Sequence, residues 1–351
     1  MYNIAIVGAG IFGTTSAIRL AGKGHKCTIY EKKDSILSCA SRVNQYRFHR
    51  GYHYPRTVET VKQLNKTSKR FQEEYGEAIN FDLTNIYALA KEKSLVNLDQ
   101  YIDFLEVNSL SYKILDSHLS LKRDMFSAIF EVQEGLINFS IIKKIIGERI
   151  NKCKNLNIKL NTTFHKQFSD KYDFVIICTY GFSSNLLPYE MKKKYKFQLI
   201  EKPVVKPHKS LNNQSIVIVD GPFMCIDPLL GTSYSVLGNV KHAVYQSSCG
   251  YEPESIPSTV DITPWEDIKK SSKSRFQMFI DHGKEYIKNF EKCEFKYSMS
   301  GYRVINPNRE KTDDRPTYIN NCGKFFEISS GKIDTCSWTA DHLAKLIDEK
   351  N

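Results

Sequence analysis

Apolar positions along this chain follow two different rhythms, and their succession outlines a fold. Asn3-Ile4-Ala5-Ile6-Val7 is a short unbroken apolar run, the pattern of a strand buried on both faces of a parallel sheet. A glycine-rich turn and a helix follow, and Lys26-Cys27-Thr28-Ile29-Tyr30 reads as a second strand. Beyond a polar loop from Ser35 to Pro55, amphipathic spacing predicts a helix from about Val58 to Tyr75. Strands are expected around Asn85–Leu89 and Met125–Val132 with a helix near Ser94–Val107 between them. A helix from Phe139 to Cys153, a short strand Ile158–Leu160 and a buried strand Phe174–Cys178 come next. Ser215–Asp220, Phe223–Leu229, Tyr234–Gly238 and Ala243–Ser247 look like consecutive antiparallel strands, which implies a β-rich insertion. Ile268, Phe276, Phe279, Ile280, Ile287 and Phe290 fall at helical spacing and predict one long helix from Trp265 to Phe290. The end returns to α/β character: strand Phe325–Ser329, turn Ser330-Gly331, helix Thr335–Ile347.

The first turn carries specific chemistry. Between the two opening strands stands Gly8-Ala9-Gly10-Ile11-Phe12-Gly13, and the second strand ends on Glu31, followed by Lys32. Gly8 permits the tight turn, Gly10 lets the backbone approach a pyrophosphate, and Gly13 removes a side chain where helix meets sheet; the helix N-terminus offers free N–H groups to the phosphates. Glu31 stands where an acid accepts hydrogen bonds from a ribose, and a carboxylate there disfavours a 2′-phosphate. The expectation is a dinucleotide seat.

Composition narrows the class. The chain of 351 residues is long enough for one large domain or two joined ones. Arg19 and Lys23 interrupt the first apolar stretch, which reads as neither signal peptide nor membrane span, so a cytoplasmic location is expected. Nine cysteines lie scattered without a C-x-x-C pair, suggesting reduced thiols and no metal site. The net charge of +11 comes from lysine clusters rather than an arginine stripe interleaved with aromatics, which argues against nucleic acid and reads as a solvated surface or attraction to an anionic substrate.

The segment from Ser41 to Arg56 packs two histidines, four arginines and three tyrosines into sixteen residues, more donors than a plain loop needs. The buried strand near Cys178 delivers Thr179 and Gly181 to an expected cofactor edge.

Four blocks together resemble the FAD-dependent oxidoreductases that include D-amino acid oxidase, glycine oxidase and sarcosine oxidase: Gly8-x-Gly10-x-x-Gly13 with Glu31; Asp173 to Gly181; Gly301-Tyr302-Arg303 followed by Asp314-Arg315-Pro316; and Ser330-Gly331 before the last helix. The resemblance implies a discontinuous Rossmann-like FAD-binding domain (1–84, 135–205 and 298–351) with an inserted, mostly antiparallel β-sheet substrate domain (85–134 and 206–297). It implies noncovalent FAD held by Gly8, Gly10, Ile11, Phe12, Gly13, Glu31, Lys32, Arg42, Asn44, Gln45, Thr179, Gly181, Gly301, Ser330, Gly331, Lys332 and Ile333. Asn44-x4-His49-x-Gly51 is similar to a stretch of L-2-hydroxyglutarate oxidases and dehydrogenases, which places His49, His53, Tyr54 and Arg56 as candidates for the reacting centre. Arg303 is the candidate carboxylate anchor, because a planar fork binds a carboxylate through two hydrogen bonds and keeps its charge.

The implied reaction is oxidation of a C–H bond beside an amine or hydroxyl in a small, carboxylate-bearing, anionic substrate. A hydroxyl donor needs a base, which His49 or His53 would supply; the final electron acceptor would be oxygen or a quinone. Two alternatives remain open. One is a flavin-dependent nucleotide-sugar isomerase resembling UDP-galactopyranose mutase, against which stands the absence of paired glycines after the second strand; the other is a plain NAD-dependent dehydrogenase, against which stands the returning C-terminal strand, glycine and helix.

Overall fold

A computed structural model describes residues 1–307 and 315–350. Two large sheets organise the chain. The first has six strands in the order Tyr318–Cys322, Phe325–Ser329, Phe174–Ile177, Asn3–Val7, Lys26–Tyr30, Leu156–Lys159; all neighbours are parallel except the first pair. Side chains alternate across it as a pleated strand requires. Ile4 and Ile6 point into a core shared with the helices Ile11–Gly22, Val58–Tyr75, Phe139–Lys152 and Cys336–Asp348, while Ala5 and Val7 join Val175, Ile177, Phe164 and Met191 on the other face. Because both faces are covered, these strands read in the sequence as unbroken apolar runs.

The second sheet has ten strands: Asp267–Ile268, Glu294–Ile305, Tyr195–Lys206, Ser235–Asn239, Met224–Pro228, Gln214–Val219, Thr84–Ala90, Phe126–Val132 and Tyr112–Leu115 in order, with Val244–Gly250 pairing separately to Tyr195–Lys206. It is antiparallel apart from Gln214–Val219 against Thr84–Ala90. The strands expected between Ser215 and Ser247 are present, yet they are not a simple meander, since the last skips its predecessor to reach Tyr195–Lys206. The long helix expected over Trp265–Phe290 does not form. α-Helix is confined to Phe276–Gly283, Ser271–Lys273 is a separate 3-10 turn, Trp265 (φ +72°) and Asn289 (φ +60°) adopt left-handed backbone, and Asp267–Ile268 is a strand. Phe279, Ile280, Ile287 and Phe290 are buried all the same, in one core with Ile216, Ile218 and Ile226, so their spacing reported burial and not a continuous helix.

A three-stranded ladder of Arg47–Phe48, Gly135–Ile137 and Ile79–Asn80 links the two sheets. It carries the donor-rich loop across the junction.

Candidate functional site

The dinucleotide turn is tightly constrained. The Gly8 N–H donates to the Tyr30 carbonyl (2.8 Å), φ at Gly8 is +101°, and a Cβ there would lie 2.7 Å from the Cys178 carbonyl oxygen. At Gly13 a Cβ would fall 2.0 Å from the Gly8 carbonyl oxygen, so only glycine lets the helix Ile11–Gly22 start beneath the turn. Glu31 is buried and accepts from the Ala9 N–H (2.8 Å) and the Lys33 N–H (2.9 Å), which fixes its carboxylate at the end of the second strand.

From this turn a cavity of about 1080 Å³ extends across the junction to the ten-stranded sheet. Gly8, Gly10, Ile11, Phe12, Glu31, Lys32 and Thr179 line its first part; Asn44, Gln45, His49, His53, Tyr54, Arg56, Arg303, Ser330, Gly331, Lys332 and Ile333 line the remainder. Four anticipated residues stand behind the wall. Gly13 and Gly301 provide close packing, and at Gly301 a Cβ would fall 2.4 Å from the Trp265 ring; Gly181 turns the chain at φ +85°, and Arg42 pairs with Asp267. Asp314 lies outside the described residues.

Beneath the donor-rich loop runs a buried ionic network that sequence reading missed. Arg47, 3% exposed, pairs with Asp227 and stands 3.3 Å from Glu134; both acids are buried. Asp227 also accepts from the Ser215 hydroxyl (2.7 Å) and the Gln45 amide (2.8 Å). Glu134 accepts from the Tyr87 hydroxyl (2.5 Å) and the Arg50 N–H (3.2 Å), and its Oε1 lies 3.5 Å from His49 Nδ1. Burial alone would raise the Glu134 carboxyl, but His49, Arg47 and Tyr87 outweigh it and hold it at about 2. The His49 imidazole is lowered, chiefly by burial, with Glu134 opposing and Lys332 reinforcing. Its backbone N–H donates to Asp334 Oδ2 (3.0 Å), and burial lifts Asp334 to about 7 against the pull of Lys332.

On the sheet side, Arg303 Nε donates to Gln198 Oε1 (2.8 Å) across paired strands, and Arg56 Nε meets Asp220 Oδ2 at 2.5 Å. Lys332 reaches the Tyr54 hydroxyl and lies over its ring at 4.2 Å. Cations and ring faces of this kind attract one another.

Residues 3–139 match the FAD dependent oxidoreductase family, DAO. Over that segment the chain resembles the FAD-dependent oxidoreductases of this family. The whole chain aligns with an FAD-dependent monooxygenase of Fusarium mangiferae at 22% identity, covering 92% of that protein. In fold it is similar to glycine oxidase from Geobacillus kaustophilus (TM-score 0.73, 15% identity, 100% of this chain and 95% of the other). It is also similar to L-alpha-glycerophosphate oxidase from Mycoplasma pneumoniae (TM-score 0.70, 15% identity, 98% and 93%). Nothing in these comparisons supports the nucleotide-sugar isomerase alternative.

The chain's own residues fit FAD. Gly8 and Gly13 hold the turn close against its neighbours, Gly10 presents bare backbone to the cavity where a pyrophosphate would approach, and Thr179 Oγ1 is buried at the cavity wall with no hydrogen-bond partner among the described residues. Among the described residues no helix is long and apolar enough to cross a membrane, and no group of three or more His, Cys, Asp or Glu could hold a metal.

Lys202 is a further cavity residue with no motif to announce it. It lies on Tyr195–Lys206, donates to Gln45 Oε1 (2.8 Å), and is lowered to about 8, chiefly by burial, with Arg303 and Arg315 adding to the effect and Cys225 and Asp227 opposing it. A lysine whose folded pKa lies below its unfolded value of 10.5 costs stability wherever it must stay charged; the cost is full below pH 8 and fades as pH rises toward 10.5. Lys202→Met is therefore expected to raise Tm at neutral pH, with a gain over wild type that shrinks above pH 8. Thermal unfolding of both proteins across that range checks it, and a loss of Tm at neutral pH would refute it.

Proposed function

We propose that this chain is an FAD-dependent oxidoreductase that oxidises the carbon bearing a hydroxyl or amino group in a small carboxylate-bearing substrate. What carries the reading is that one cavity joins the dinucleotide turn to His49 and Arg303. Gly8, Gly10, Glu31, Thr179 and the Ser330-Gly331 turn would hold FAD, which supplies a two-electron acceptor for the hydride leaving the substrate carbon. Arg303, its guanidinium oriented through Nε by Gln198, grips the carboxylate and sets which carbon is presented. His49 takes the proton of a hydroxyl donor: its lowered pKa keeps the imidazole neutral and able to accept at neutral pH. The buried walls keep bulk water from competing for that proton.

Arg303→Met should weaken the donor's apparent affinity by roughly 10- to 100-fold, the worth of a charged hydrogen bond. The rate of flavin bleaching at saturating donor should change far less. Anaerobic rapid mixing with donors of graded concentration measures both; an unchanged affinity would remove Arg303 as the anchor. The name of the Fusarium relative raises the question of hydroxylation, which for this chain would require bleaching by a reduced nicotinamide instead of by the donor.

A further inference from the structure

His49 is bracketed by two buried carboxyl groups in unlike states. Asp334 accepts the His49 backbone N–H and, raised to about 7, sits near the midpoint of its titration at neutral pH; Glu134 stays ionised. Glu134 divides its oxygens: Oε2 accepts from the Tyr87 hydroxyl and faces Arg47, while Oε1 accepts from the Arg50 N–H and faces His49 Nδ1 at 3.5 Å. The His49 side chain is 15% exposed and lines the cavity; Nδ1 is buried and makes no hydrogen bond among the described residues, with Glu134 Oε1 the carboxylate oxygen 3.5 Å away, and the edge open to substrate is the Nε2 side.

We infer that Glu134 is a positioning residue that draws the imidazole proton to His49 Nδ1, leaving the Nε2 lone pair facing the cavity to receive the substrate's proton. This rests on the proposed role of His49 as proton acceptor. A neutral imidazole carries one N–H, and the nitrogen that holds it is set by the partner of the other. A buried carboxylate accepts and cannot donate, so it selects Nδ1–H. In oxidation of a hydroxyl donor Nε2 would receive the O–H proton, with bound FAD supplying the acceptor for the hydride; the imidazolium is then stabilised by a Glu134 carboxylate already in place, which needs no proton of its own. The other charged or titratable groups facing His49 are Arg47, His53 and Tyr54 on its own segment and Lys332 and Asp334 on the C-terminal turn. Lys332 and Arg47 oppose imidazolium formation, and the Glu134 charge favours it.

The test is 15N NMR of the histidine-labelled holoenzyme, with His49 assigned by loss of its signals in His49→Gln, together with anaerobic flavin reduction across pH. The expected result is a neutral Nδ1–H imidazole in the wild type. Glu134→Gln should move protonation toward Nε2 and slow reduction about 100-fold with little change in donor affinity, and Glu134→Asp should recover part of the rate. Tyr87→Phe, which removes a hydrogen bond to Glu134 without touching a charge, should retain the wild-type tautomer and provides a second readout if Glu134→Gln does not fold. A wild-type proton on Nε2, or a Glu134→Gln protein with unchanged tautomer and rate, overturns the inference. A reduction rate unaffected by His49→Gln sinks the proton-acceptor reading instead, whatever the tautomer.

Discussion

Replacing Gly13 by alanine should yield a colourless protein. The added Cβ would stand 2.0 Å from the Gly8 carbonyl oxygen and 3.3 Å from the Cys178 Cβ, and the first contact is with backbone, so the turn itself must move. That turn aims its N–H groups at the cofactor's phosphates. Losing two hydrogen bonds to an anion, at about 1.5–3 kcal/mol each, weakens FAD binding by roughly 100-fold or more. The Gly22→Ala protein is the control: at the far end of the same helix a Cβ meets nothing within 4 Å, and full colour is expected. Flavin absorbance per protein after gel filtration, followed by titration of the stripped protein with FAD, measures the difference. Equal FAD content in the two variants would show that the glycine turn is not the cofactor seat.

The second large effect is on stability. Arg47→Met leaves Asp227 and Glu134, both buried, without their shared cation, and breaking a buried pair in this way costs about 3–5 kcal/mol. Ser215 and Gln45 still donate to Asp227, and Tyr87 to Glu134, which places the expected loss at the lower end of that range. The sign with pH is fixed. Glu134, held at about 2 in the folded wild type and 4.5 when unfolded, contributes stability above pH 4.5 that is lost as pH falls through 2. Without Arg47 its folded pKa rises above about 2, so the deficit of the variant narrows once pH falls below that raised value. Urea unfolding at neutral pH measures the loss, and a series carried down into acid measures the narrowing; a loss under about 1 kcal/mol at neutral pH would mean that the network is held together by its neutral hydrogen bonds.

How much of this was legible in the sequence differs from one part of the chain to another, for physical reasons. Ile4–Val7 and Phe174–Ile177 announce themselves because a strand covered on both faces is apolar along its buried length. Gly8 and Gly13 announce the turn because a Cβ at either would run into backbone. The long strand Tyr195–Lys206 is less visible, since its cavity face carries Gln198 and Lys202 and thereby breaks the apolar pattern that would have marked it. The network of Arg47, Glu134 and Asp227 is invisible to spacing: its members come from three separate parts of the chain and meet only when the small ladder of Arg47–Phe48 and Gly135–Ile137 is laid against the large sheet. A single charged residue next to an apolar strand, such as Glu134 after Phe126–Val132, is the one signal the sequence offers, and it equally marks a solvated turn.

The most direct test of the proposed function is anaerobic bleaching of the bound flavin by a panel of 2-hydroxy acids, amino acids and their decarboxylated analogues, with reduced nicotinamides alongside. A carboxylate-bearing donor is expected to bleach the flavin, and its decarboxylated analogue to do so only weakly. Bleaching by a reduced nicotinamide with none by any donor, or equal bleaching by donor and decarboxylated analogue, would contradict the proposed function.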